Sequence, residues 1–284
     1  MGGLIRLSPA ARIVVRPGPA LQFGIDARSC GIISDLDPRS IGPVAAALAA
    51  TRIPVPVTEL VDSLVLAGLS MEATHSILAD LRSYRVLIDV PVRAPVVAML
   101  GQNALATATA NLLTESGCVV RRPLRGETDK RFLWQLSPDI PLVVADRFTQ
   151  GRVLAPLVQY RTGHYLPIAI IDGRAHIGPL DVARSGPCPM CLDLYRIDLD
   201  PQFNAISAQI PATGSHASVM LALASALAAN VVLDLVGMSL AAPGHAPRDY
   251  APGWQLTQAL GEAAEESIIS PHQRCPLCFA AQHV

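Results

Sequence analysis

The chain is expected to be an α/β protein in two parts. A small winged-helix-like α+β domain fills residues 1–90, a linker follows at 91–95, and a larger Rossmann-like α/β domain over 96–284 carries a four-cysteine zinc site. Three observations predict this. Short strand-like runs followed by three amphipathic helices fill the first 90 residues; the composition changes after Pro95 into a strand, turn, helix, strand order; and two Cys-Pro-x-Cys pairs stand near the end of the chain.

At 284 residues there is chain enough for two hydrophobic cores. The 22 basic and 23 acidic side chains nearly cancel, which argues against nucleic acid or an anionic membrane as a partner. Lys130 is the only lysine. The opening residues contain no apolar run of signal-peptide length, so a cytoplasmic protein with reduced thiols is expected. Residues Ser218 to Leu233 approach a membrane span but are Ala-rich, contain Asn230 and run into Asp234, which suits a buried helix better.

Taken in order, Arg12 to Arg16, Leu21 to Ile25 and Gly31 to Leu36 read as a three-stranded meander, with turns at Pro17-Gly18-Pro19 and Asp26-Ala27-Arg28-Ser29. Helices are predicted at Ser40 to Ala50, Thr58 to Leu66 and Ser70 to Ser83, the last with Ser70 as N-cap and Ile77, Leu78 and Leu81 at helical spacing. Tyr84 to Val90 closes the module as a strand. Such modules bind DNA or peptides. The third helix carries Glu72 and Asp80 against His75 and Arg82, a poor match to phosphates, whereas an extended peptide can add as a strand to the edge near Gly31 to Leu36.

Two prolines keep Val90 to Pro95 extended. The second domain then opens with Val96 to Leu100, Gly101, a helix from Leu105 to Ser116 and a strand at Cys118 to Val120, the start of a parallel sheet. Further strands are predicted at Pro141 to Ala145, Leu166 to Ile171 and His176 to Val182, with a helix at Arg152 to Arg161. A long helix from Gly214 to Val236 covers the sheet, and crossing strands follow at Trp254 to Leu256 and Glu266 to Ile269.

The chemistry sits in the cysteines. Cys188-Pro189-Met190-Cys191 and Cys275-Pro276-Leu277-Cys278 each present two thiolates from a turn, and two such bites complete a tetrahedral zinc. Four thiolates leave no open position, so the role is structural. A disulfide pair and a redox dithiol remain as alternatives. Cys30 and Cys118 lie in apolar surroundings as packing residues. Elsewhere the chain lacks what nucleotide chemistry needs. Its first α/β turn, Gly101-Gln102-Asn103-Ala104-Leu105-Ala106, keeps one glycine of the three in G-x-G-x-x-G, and Arg121-Arg122 stands where a ribose-binding acid belongs. His164, His176, His216 and His245 are scattered. Asp146, Arg147 and Asp172 fall at strand ends, where a residual pocket would be built.

The blocks Gly186-Pro187-Cys188-Pro189-Met190-Cys191-Leu192-Asp193-Leu194-Tyr195-Arg196 with Asp200-Pro201, and Pro271-His272-Gln273-Arg274-Cys275-Pro276-Leu277-Cys278, resemble those of the leader-peptide-binding cyclodehydratase C proteins of thiazole/oxazole-modified peptide (TOMM) biosynthesis. Those proteins join a RiPP recognition element to a domain of the ThiF/MoeB ubiquitin-activating superfamily. The resemblance implies a degenerate ThiF-like domain without ATP, in which Gly101 and Asp146 are leftover nucleotide-site positions. It further implies a leader groove lined by Ile32, Ile33, Ser34, Leu78 and Arg82, a ribosomal precursor peptide and a YcaO-type cyclodehydratase as partners, and a homodimer. An ATP-dependent adenylating enzyme and a winged-helix regulator are the competing readings.

Overall fold

The computed structural model describes residues 3–26, 28, 30–210 and 216–282, arranged in two compact units. The first comprises Met1–Arg93 and Gly237–Arg248; the second, Ala94–Val236 and Asp249–Val284.

In the first unit, β1 (Leu4–Leu7), β2 (Ile13–Arg16), β3 (Ala20–Phe23) and β4 (Gly31–Ile33) precede α1 (Ile41–Ala50), β5 (Val55–Pro56), α2 (Val57–Leu66), α3 (Met71–Ser83) and β6 (Leu87–Val90). The meander is present as the antiparallel sheet β2-β3-β4. Its third strand stops at Ile33, short of Leu36, because Asp35 turns into the left-handed region at φ 61°. Of the turn predicted at Asp26-Ala27-Arg28-Ser29, Ala27 and Ser29 lie outside the described residues. Sequence analysis did not anticipate β1. Four residues are too few for alternation to be read with any force, yet β1 sits in the middle of a second sheet, β5-β1-β6. Ser70 caps α3 as expected, its hydroxyl accepting from the Ala73 amide at 3.1 Å. Ile5, Leu21, Leu48, Leu60, Leu64 and Leu87 form the core of this unit. Hydrogen bonds tie in the returning segment Gly237–Arg248. The Gly244 amide donates to the Tyr84 carbonyl (2.7 Å), and the Arg85 guanidinium donates to the Ser239 carbonyl (2.9 Å).

The second unit runs β7 (Val96–Leu100), α4 (Ala104–Glu115), β8 (Val119–Arg121), α5 (Asp129–Trp134), β9 (Leu142–Ala145), α6 (Gly151–Val158), β10 (Tyr165–Ile171), β11 (Arg174–Ile177), α7 (Pro189–Leu199), α8 (Phe203–Ser207), α9 (Ser218–Leu235), β12 (Trp254–Ala259), β13 (Glu265–Ile268) and α10 (Pro276–Gln282). These strands form one seven-stranded sheet in the order β13-β12-β11-β10-β9-β7-β8. The sheet is mixed. Strands β8, β7, β9 and β10 are parallel; beyond β10 the pairing is antiparallel, because Asp172 (φ 49°) and Gly173 (φ 76°) make a two-residue hairpin that returns the chain directly into β11. Asp172 is therefore a turn residue.

The long helix α9 starts at Ser218; the earlier start predicted at Gly214 falls on residues 211–215, outside those described. By length and composition it could cross a membrane. Its Ala224, Ala228, Ala229, Val232 and Leu233 are nevertheless buried, and it packs on α4, β10 and β11 as a core helix. Ala98 and Leu100 of β7 and Leu142 and Val144 of β9 pack with Phe132 and Leu133 of α5 and Leu154 and Val158 of α6.

Candidate metal centre and the strand-end turn

Each Cys-Pro-x-Cys pair is placed by a helix start. Cys188 is the N-cap of α7 with Pro189 in its first turn, and Cys275 immediately precedes α10, which begins at Pro276. The sequence reads as a tight turn at each pair; each is instead a helix start. Proline lacks the amide that a first helical turn leaves unpaired, so it is at home at both starts.

The four sulfurs converge. Cys188 Sγ lies 3.7 Å from Cys191 Sγ and 3.5 Å from Cys275 Sγ, and Cys191 Sγ lies 3.4 Å from Cys278 Sγ. All four are free thiols within 4.8 Å of one another. A disulfide would bring two sulfurs to about 2.05 Å. A tetrahedral ion with sulfurs at about 2.3 Å sets them about 3.8 Å apart. The spacing therefore fits a metal ion, and these cysteines could hold one. Hydrogen bonding already divides the charge among them. Cys278, accepting from Cys188 and then Cys191, is held down to about 2, while Cys188 is pushed up by its bonds to Cys191 and Cys278 and by burial.

Around the sulfurs, α7 works as a hub. The His272 amide donates to Cys191 Sγ (3.3 Å), and its ring, edge-on to Tyr195 at 4.6 Å, is bridged to Asp198 through Nε2 (2.9 Å). The Tyr195 hydroxyl donates to the Ser270 carbonyl (3.0 Å). Asp193 is buried, and its carboxylate accepts from the Arg152 amide (3.0 Å), capping α6 from a neighbouring helix. Burial raises the Asp193 carboxyl, against the Arg152 hydrogen bond and the Arg196 charge. Arg196 lies between the rings of Phe148 and Phe203, 5.5 Å from each centroid. His272, Asp193, Tyr195 and Arg196 stand in the two cysteine blocks of the sequence, where nothing assigns them these jobs. For Asp193, Tyr195 and Arg196 the signal was their spacing on one helix, visible only once α7 is known to be a helix.

At the C-terminal end of β7, Gly101 adopts φ 131°, and a Cβ there would meet Ala106 and the Ala145 carbonyl at 3.1 Å. The turn is filled by the protein itself. The Asn103 side chain accepts from the Ala106 amide (2.8 Å) and donates to the Ala145 carbonyl (3.2 Å). Arg122 donates to the Gly101 carbonyl (3.0 Å) and to Thr107 Oγ1 (3.3 Å). Asp146, at φ 53°, accepts from the Ile170 amide (3.0 Å) and faces His216 Nε2 at 3.4 Å. Arg147 pairs with Asp129. His164 and His176 are both depressed by burial; His176 also feels Arg196 and Arg174, and its Nδ1 lies 3.3 Å from Thr257 Oγ1.

In the first unit, β4 is an edge strand, paired only with β3 among the described residues. Ile32 is 49% exposed, Ser34 is exposed and Ile33 is half-buried against the core. Arg82 is half-buried and pairs with Asp89 at 2.9 Å. Leu78 departs from the expected groove. It is 3% exposed inside the core, because the face of α3 that carries it packs on α2 and β6.

No protein-family model matches the chain, and no curated protein matches it. Solved structures do share its fold. The heterocyclase TruD superposes with a TM-score of 0.60 at 14% identity over 97% of this chain and 43% of that one. A heterocyclase in complex with substrate and cofactor gives 0.61 at 14% identity, over 97% and 39%. A structure of E. coli MccB with ATP gives 0.54 at 13% identity, over 97% and 99%. This chain thus spans under half the length of the heterocyclases that it resembles and nearly all of MccB's.

Proposed function

We propose that this protein is a leader-peptide-binding scaffold of azole-modified peptide biosynthesis. The N-terminal unit, a winged-helix-like RiPP recognition element, captures an extended segment of a ribosomal precursor peptide. The second unit, a ThiF-like domain fastened by structural zinc, presents that peptide to a YcaO-type cyclodehydratase. The observation that carries the reading is the open edge of β4 with Ile32 beside it. An edge strand offers a row of unpaired amides and carbonyls on which a peptide can continue the sheet, with alternate side chains giving specificity. Ile33, Ser34 and Arg82 belong to the same reading; Leu78 supports the groove from beneath.

The β7 turn supports a scaffold over an adenylating enzyme. Phosphates are held by free backbone amides at a glycine-rich helix start. Here Asn103 occupies the helix start, Arg122 covers the Gly101 carbonyl, and Asp146 is engaged by the Ile170 amide. A retained left-handed Asp146 at a strand end is the one feature that favours the enzyme.

Titration calorimetry with a synthetic leader peptide tests the proposal. Micromolar binding is expected, with Ile32→Asp weakening it at least about tenfold, roughly 1.4 kcal/mol. Absence of heat with every candidate leader would sink it. ATP–pyrophosphate exchange that disappears in Asp146→Ala would establish the enzyme instead.

A further inference from the structure

A cavity of about 290 Å³ opens beside the four cysteines, between α6 and the loop that follows β11. Its lining includes Gln159 of α6, Asp181 and Ser185 of the loop, Leu277 of α10, and both Cys188 and Cys278. The centre therefore has an open and a closed side. Cys188 and Cys278 are half-buried and reach the cavity, whereas Cys191 and Cys275 are buried and are not among its described lining. The Cys191 sulfur is further covered by the His272 amide at 3.3 Å. A liquid water takes up about 30 Å³, so a hydrated ion or the donor end of a small chelator fits the space.

The loop that forms one wall is built against its own residue types. The Ser185 amide donates to the Val182 carbonyl (2.9 Å) across Ala183 (φ 47°) and Arg184 (φ 69°), a left-handed pair that glycine, asparagine or aspartate adopts more readily. The loop is closed from behind. The Gly186 amide donates to the Asp181 carboxylate (2.8 Å), and a Cβ on Gly186 would stand 2.6 Å from the Leu180 carbonyl oxygen, so the two arms touch. This construction sets a carboxylate, the one among the described lining residues, in a cavity shared with Cys188 and Cys278. Carboxylate oxygen ligates zinc, but the softer thiolate is the preferred donor. Asp181 thus suits a transient partner of the ion and not a resting ligand.

We propose that this cavity is the route by which the centre takes up and surrenders its ion, Asp181 meeting the ion while Cys188 and Cys278 close on it last and release it first. The proposal rests on the metal reading of the four cysteines. In release, a donor atom of an incoming chelator bonds the ion, the bond from Cys278 or Cys188 breaks, and the freed thiolate takes a proton from water. The ion keeps its charge throughout. In uptake the same protons are given back. Cys191 and Cys275, walled off from the cavity, hold the ion until the open pair has let go.

The test mixes the zinc-loaded full chain with an excess of a coloured pyridylazo-resorcinol chelator while iodoacetamide traps each thiol as it is freed. Peptide mapping is expected to find Cys188 and Cys278 alkylated before Cys191 and Cys275. Gln159→Trp and Ser185→Trp, which fill the cavity from two different elements, should each slow zinc transfer at least about fivefold. Gln273→Trp, at an exposed position beside the cysteines but outside the described lining, should leave the rate within about twofold. Asp181→Asn keeps an acceptor for the Gly186 amide and removes the charge; it should slow transfer at least about threefold with the melting temperature unchanged. Alkylation that begins at Cys191 or Cys275 overturns the inference, as does a rate indifferent to both cavity substitutions or slowed as much by Gln273→Trp. A rate unchanged in Asp181→Asn removes the part given to Asp181. A chain that holds no stoichiometric zinc after loading overturns the metal reading itself, and the inference with it.

Discussion

Gly151 sets how closely α6 can lie against α7. A Cβ at that position would stand 2.4 Å from the Pro189 carbonyl oxygen and 2.6 Å from the Asp193 carboxylate, both fixed by their own helix. Gly151→Ala is therefore expected to cost about 2–3 kcal/mol, read as a lower denaturation midpoint, with loss of the Asp193 cap on α6. The buried histidines set a pH dependence at the same scale. His176 is depressed below its ordinary 6.5, mainly by burial and then by Arg196 and Arg174, and His164 by burial. The unfolded chain thus binds more protons than the folded one as pH falls through 6.5, and stability is lost on acidification and kept above it. Melting temperature measured between pH 7.5 and 5.5 should fall, and the fall should be shallower in His176→Asn, which keeps a polar partner for Thr257.

At the scale of elements, α10 carries Cys278, which faces Cys191 of α7, and its start is joined to α7 through Cys188, Cys275 and His272. A structural zinc can contribute on the order of 10 kcal/mol to such a joint. Chelation or Cys278→Ser is expected to release α10 first and to expose the Cys275 amide, seen as fast hydrogen exchange in residues 271–282 while β7 and β9 stay protected. Metal analysis should return one zinc per chain. The same scale shows why some elements were legible and others not. The α3 helix declared itself through Ser70 and the Ile77, Leu78, Leu81 spacing. The α7 helix was hidden, because its Cys-Pro start reads equally well as a turn and its buried positions include Asp193, a residue that pattern reading assigns to solvent. Leu78 was legible as a helical apolar residue, but whether it faced a groove or a core depended on α2 and β6, which lie far from it along the chain.

At the scale of the whole molecule, the first unit is discontinuous, since Gly237–Arg248 returns to it after α9. A fragment ending at Arg93 leaves the Tyr84 carbonyl and the Arg85 guanidinium without their partners from that segment. Such a fragment should be less stable than the same unit in the full chain by about 1–3 kcal/mol, and adding residues 237–248 as a peptide should recover part of it in a thermal-shift assay. Local chemistry in the sequence determined the meander and its helices, the opening of the α/β sheet, the poverty of its nucleotide turn and the four cysteines with metal-ligand spacing. These are properties of neighbours along the chain, where periodicity, caps and short motifs act. Only the tertiary structure decided that the sulfurs meet, that Asp193 caps another helix, that Asn103 and Arg122 fill the Gly101 turn, and that the sheet turns antiparallel beyond β10. Arg122 reaches Gly101 across 21 positions, Asp193 reaches Arg152 across 41, Asn103 reaches Ala145 across 42 and the sulfurs meet across 87, while the sheet's change of sense rests on a hairpin's direction. Packing in three dimensions, with the burial it imposes, is what selects them.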